Sequence, residues 1–130
     1  MLNLANYQRP DAVRAALEKK RIAVVGLSNN PARPSHGVAR YMLEQADGYS
    51  IVPVNPRESE VLGRPCYPDL IAAREAEGEI DVVDVFRDSS AVPGIAAESI
   101  AIGASVLWLQ LGVRNDAAAA TAEAAGLKVV

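Results

Sequence analysis

The chain has 130 residues, 50% of them hydrophobic and 22% charged, and 13 Lys and Arg against 16 Asp and Glu give a net charge of −3. That length makes one domain, since domains cluster at roughly 100–150 residues, and the composition belongs to a packed globular protein, not a disordered one. No large positive field is available, so broad binding to nucleic acid or to an anionic membrane is not expected, whereas a local group of arginines can still hold a small anion.

The amino end, residues 1–20, has no basic start followed by an unbroken apolar stretch and does not read as a signal peptide. A helix is predicted there over Asp11–Lys20, capping one side of a sheet. Ile22–Gly26 (IAVVG) is the first predicted strand, followed by a Pro- and Gly-rich stretch from Gly26 to Gly37. Val38, Met42 and Ala46 then share a helical face with Ala39 and Leu43. Ser50–Val54 (SIVPV) is a second strand and opens a second Pro- and Gly-rich stretch, Val54–Pro68. Ile80–Phe86 (IDVVDVF) and Ser105–Leu109 (SVLWL) are further strands, separated by a helix whose face is Val92, Ile95, Ala96, Ser99 and Ile102 and whose stop is Gly103. Asn115 is placed to cap the alanine-rich helix that runs to Ala125, Gly126 is placed to end it, and Leu127–Val130 (LKVV) is a fifth strand.

Short apolar strands without clean alternation suit a parallel sheet covered on both faces. Their regular alternation with helices predicts a doubly wound α/β fold with right-handed crossovers, one domain over residues 1–130. No stretch approaches 18 uninterrupted apolar residues, so no membrane span and a cytoplasmic location are expected.

The two Pro- and Gly-rich stretches are the places to look for function. The first stands where a dinucleotide fold carries its glycine-rich turn, although Ser28 and Pro31 replace the second and third glycines of G-x-G-x-x-G. Gly26 ends a buried strand, where backbone without a Cβ can approach a ligand. Ser35 is expected to cap the following helix, leaving the amides of His36, Gly37 and Val38 to face the loop as an anion site for a pyrophosphate. Leu27 belongs to the same turn, Ser28, Asn29 and Asn30 add short donors, and Arg33 adds a charge that pairs with phosphate. A stretch of this length exceeds the two to six residues of an ordinary connection.

After the second strand come Asn55, Pro56 and Arg57, where a nicotinamide-binding fold would offer an acid to the ribose hydroxyls. The neutral amide and the arginine remove the NAD signature and favour a phosphorylated ribose, as in NADP or coenzyme A. At the end of the next strand, Phe86 can pack on a base or a pantetheine arm and Arg87 can reach phosphate, or Phe86 is core and Arg87 pairs with Asp88. Gln110–Gly112 is a further candidate wall.

No catalytic group stands out. Ser35 and His36 are sequence neighbours whose side chains diverge, and no carboxylate completes a triad. Asp81 and Asp84 lie on opposite faces of a strand, and Asp84 in a covered sheet needs a partner. One cysteine and one histidine exclude an internal disulfide and a Cys/His zinc cage, so no metal is expected. Cys66 reads as a small buried hydrophobe, with thiol exchange on coenzyme A as the alternative.

Six ordered segments carry a family likeness: Ala23–Ser28 (AVVGLS), Arg33–Ser35 (RPS), Ile51–Pro56 (IVPVNP), Gly63–Pro68 (GRPCYP), Asp81–Arg87 (DVVDVFR) and Trp108–Gly112 (WLQLG). Together they resemble the small stand-alone bacterial CoA-binding proteins, whose domain is similar to the CoA-binding domain of the succinyl-CoA synthetase alpha subunit. The resemblance implies a Rossmann-like sheet of order 3-2-1-4-5-6, with a short third strand near Pro65–Cys66. It also implies coenzyme A lying over Gly26–Ser28, Asn55–Pro56 and Phe86–Arg87. Ligase activity does not carry over, because His36 does not match the phosphorylated histidine of that synthetase. The expected function is binding of CoA or an acyl-CoA without chemistry of its own, with a homodimer or an acyl-CoA enzyme as partner. The rival reading is a small NADP-binding oxidoreductase.

Overall fold

A computed structural model of the protein describes residues 21–44, 50–110 and 112–130; the helix expected over residues 11–20 lies outside them. Strands β1 (Arg21–Val25), β2 (Ser50–Val54), β5 (Val82–Val85), β6 (Val106–Leu109) and β7 (Lys128–Val129) form a five-stranded parallel sheet of order β2-β1-β5-β6-β7. Between them run α1 (Pro34–Leu43), α2 (Leu70–Glu77), α3 (Val92–Ala101) and α4 (Asp116–Ala124), and β3 (Glu60–Val61) with β4 (Arg64–Pro65) makes a small antiparallel hairpin. The fold is α/β of the Rossmann-like kind.

Side chains alternate across the sheet. Ala23, Val25, Val52, Val54, Val83, Val85, Leu107 and Leu109 pack against α2, α3 and α4. Ile22, Val24, Ile51, Val82 and Val106 face the other way, with Leu27, Val61 and Ala39 of α1. All five residues predicted for the buried face of α3, from Val92 to Ile102, are buried. On α1 the buried residues are Ser35 and Ala39, while Val38, expected on the apolar face, is 37% exposed and Ala46 lies outside the described residues.

Both ends of α4 follow the sequence closely. Asn115 Oδ1 accepts from Ala118 N at 2.9 Å, and the Gly126 and Leu127 amides return to the carbonyls of Glu123 and Ala122, both at 3.0 Å. Gly126 has φ +101°, a left-handed conformation that costs other residues energy.

The expected order 3-2-1-4-5-6 is not observed, because the third strand does not join the sheet. Beyond β2 there is a single parallel bridge, Val54 to Tyr67, made by Tyr67 N donating to Pro53 O (3.0 Å) and Asn55 N donating to Tyr67 O (2.8 Å). Extending that ladder back by two residues needs N–H donors from Pro53 and Pro65, and proline has none. Residues 64–65 pair with β3 instead.

Candidate functional site

Register sets the site. Val25 is level with Val54 on one side and Val85 on the other, and Val85 is level with Leu109. The residues that follow, Gly26, Asn55, Phe86 and Gln110, therefore emerge along one edge of the sheet. Gly26 N donates to Val54 O (2.8 Å) and Phe86 N to Val25 O (2.9 Å), extending the ladder into the loops.

A cleft of about 540 Å³ opens at that edge, lined by Gly26, Ser28, Arg33, Pro34, Ser35, Asn55, Pro56, Arg57, Glu58, Phe86, Arg87 and Asp88. Nine of the residues expected from sequence line it; Leu27, Asn30, His36, Gly37 and Val38 do not. The Leu27 side chain is fully buried in the core. Asn30 is exposed and shapes the loop, its Oδ1 accepting from Ala32 N and its own N–H donating to Ser28 Oγ, both at 3.0 Å.

The first loop is held differently from the expectation. Helix α1 begins at Pro34, its N-cap is Arg33, and no side chain caps it. Proline suits this first position because it has no N–H to satisfy. Ser35 is therefore inside the helix, 3% exposed, and its Oγ accepts from Ser28 N at 3.2 Å, closing the loop onto the helix. The His36 and Gly37 amides point back to Arg33 O at 3.1 and 3.5 Å, so they are not the free anion donors expected of them. His36 stands in the first turn of α1, not in the loop.

Gly26 is required by its neighbours. Its φ is +89°, and a Cβ there would lie 2.5 Å from Phe86 O and 2.9 Å from Arg87 Cδ. The stem of Arg87 thus crosses the end of β1. Phe86 is half-buried, packing against the α1 side of the core while also lining the cleft.

Asn55 ties the two loops together. Its Nδ2 donates to Leu27 O (3.1 Å) and its Oδ1 accepts from Arg57 N (2.9 Å), so the amide expected to face a ribose serves the backbone at both ends. Glu58 Oε2 adds a second tie by accepting from Asn29 N at 3.0 Å.

Three arginines line one cleft: Arg33 at the N-cap of α1, Arg57 after β2 and Arg87 after β5. None of their guanidinium groups has a hydrogen bond or ion pair among the described residues, and Arg87 does not pair with its neighbour Asp88. Glu58 and Asp88 leave the lining positive by one charge in a chain of net charge −3. These two acids and Pro34 are not among the site residues expected from sequence, where Asp88 figures only as a partner for Arg87 and Pro34 only as part of the Arg33–Ser35 segment. The only available signal was their adjacency to Arg57, Arg87 and Arg33.

Gln110 does not form a wall. Its Nε2 donates to Asp84 Oδ1, and neither Gln110 nor Gly112 lines the cleft. Asp84 is 3% exposed between Val24 and Trp108, and loss of hydration pushes its carboxyl up to about 7 despite the bond from Gln110. Cys66 is half-buried outside the cleft lining, its Sγ 3.6 Å from Asn55 O. Burial, with a smaller push from the Glu58 carboxylate, raises its thiol pKa, which disfavours the thiolate needed for exchange. Among the described residues no group of His, Cys, Asp and Glu could hold a metal ion, and no helix is long and apolar enough to cross a membrane.

An α/β domain with a cationic cleft at the carboxyl ends of its first strands belongs to the class that binds phosphorylated cofactors at the strand-order reversal. Within that class, the CoA binding domain family model matches residues 20–130, and the chain belongs to that family. It is 44% identical over 115 residues to the Bacillus subtilis protein YneT, covering 88% of this chain and 82% of that one. A solved Pyrococcus horikoshii structure superposes with a TM-score of 0.84 at 38% identity, covering 92% of this chain and 81% of the other. A Thermus thermophilus structure superposes at 0.81 with 35% identity, covering 92% and 88%.

Proposed function

We propose that the chain binds coenzyme A, free or acylated, in the cleft at the ends of β1, β2 and β5, and acts as a cytoplasmic carrier or sensor without chemistry of its own. The observation that carries this reading is that three arginines, unpaired among the described residues, line one cleft. Unpaired arginines on one surface repel each other, and a ligand with several phosphates relieves that repulsion while accepting forked hydrogen bonds. Coenzyme A carries a pyrophosphate and a 3′-phosphate, and membership of the family favours it over other polyphosphates.

In this reading Arg33 and the Ser28 hydroxyl face the pyrophosphate and Arg57 reads the ribose phosphate. Arg87 and Phe86 flank the passage between them. Asn55 acts indirectly, by fixing the first loop against the second. Ser35 Oγ accepts from Ser28 N, and among the described residues it has no hydrogen bond to a His, Asp or Glu side chain.

Calorimetric titration with CoA, dephospho-CoA, NADP and NAD tests the proposal. CoA is expected to bind tightest and dephospho-CoA roughly tenfold more weakly, the worth of one charge-assisted contact. Equal affinity for the two would remove Arg57 from the ribose phosphate, and preferential binding of NADP would replace the proposal with an oxidoreductase.

A further inference from the structure

The turn that supplies Arg57 also supplies a carboxylate, an unexpected lining for a cleft built for phosphate. Glu58 lines the same cleft as Arg33, Arg57 and Arg87. Its backbone N–H donates to Asn55 O at 3.2 Å and its Oε2 accepts from Asn29 N at 3.0 Å, so both its main chain and its side chain are held. A carboxylate accepts at two oxygens, and among the described residues nothing donates to the second, Oε1. An ionised carboxylate accepts from a hydroxyl and repels a phosphate. Arg57 and Glu58 therefore present opposite preferences from adjacent positions on one turn.

We propose that Glu58 is a specificity-determining residue: it accepts a hydrogen bond from the free ribose hydroxyl next to the phosphate read by Arg57. Together the two select a ribose that bears one phosphate and one free vicinal hydroxyl. This rests on the CoA reading, since the CoA ribose carries a 3′-phosphate beside a free 2′-hydroxyl. A ligand lacking that hydroxyl leaves Oε1 without a partner, and a second phosphate in its place meets a like charge.

The test is a double-mutant cycle measured by calorimetry, with CoA and 2′-deoxy-CoA each titrated into the wild-type protein, Glu58→Ala and Glu58→Gln. Wild type is expected to prefer CoA by roughly tenfold, as for one hydrogen bond to a charged group. In Glu58→Ala the preference should fall to near one. Loss of the tie to Asn29 affects both ligands alike and cancels in the ratio. Glu58→Gln, which keeps an accepting oxygen, should retain part of the preference. CoA binding with the same preference in wild type and Glu58→Ala, or with none in wild type, overturns the role of Glu58 alone. A wild-type protein that binds no CoA overturns the ligand reading and this inference with it.

Discussion

The cleft at the ends of β1, β2 and β5 is lined by three arginines whose guanidinium groups have no partner among the described residues, whereas Asp84, on β5 and two residues before Phe86, is 3% exposed and takes a hydrogen bond from Gln110. Both places sit within one turn of chain of each other, yet the rules are opposite. In water an unpaired charge keeps its hydration and costs little, so the arginines of the cleft remain available to a ligand. Inside the sheet a charge loses that hydration, so Asp84 holds its proton to about pH 7 and takes a fixed neutral partner. On the proposed function, the difference separates a site that receives charge from one that hides it.

The largest effect should come from the hidden site. The folded protein keeps on Asp84 a proton that the unfolded chain releases near pH 4, so folding takes up a proton between that pH and about 7. The stabilisation is complete below pH 4 and is lost as pH rises through 7. Between pH 5 and 8 the wild type should lose about 3 kcal/mol by urea denaturation from this group. Asp84→Asn keeps an acceptor for Gln110 and should flatten that slope; an unchanged slope would show that Asp84 is ionised in the fold.

Next come the arginines. Single replacements by Ala at Arg33, Arg57 and Arg87 should each weaken CoA binding by about 1.5–3 kcal/mol, tenfold or more in Kd, at low salt. Added salt should shrink the difference. Unfolding free energies should stay within about 0.5 kcal/mol, because the three guanidinium groups make no hydrogen bond or ion pair among the described residues. A stability loss without a binding loss would reverse the contrast between the two places.

The smallest effect comes from a position that belongs to neither. Gly37 lies in α1, has nothing within 4 Å of where a Cβ would stand, and does not line the cleft. Gly37→Ala should stabilise the protein by up to about 1 kcal/mol, the helix preference of alanine over glycine, and leave Kd unchanged. Weakened binding would restore the first turn of α1 to the site.

What could be read directly from the chain was local. The β-branched runs fix the strands because each is buried on both faces, and Asn115, Gly103 and Gly126 fix helix ends because capping is a contact between near neighbours in sequence. The two Pro- and Gly-rich stretches marked the cleft because strand ends of a parallel sheet share one edge. Even the missing third strand was written in Pro53 and Pro65, although that becomes visible only once Tyr67 is known to face Val54.

What only the tertiary structure decided was pairing at a distance. Asp84 and Gln110 are 26 residues apart, and Glu58 reaches Asn29 across 29. Gly26 is held to glycine by a carbonyl at Phe86, and Ser35 closes a loop in place of capping a helix. Sequence order says which groups a segment can offer. Which of them are consumed inside the protein, and which remain for a ligand, depends on the neighbours that folding supplies, because a donor or charge is free only when no folded neighbour has already taken it.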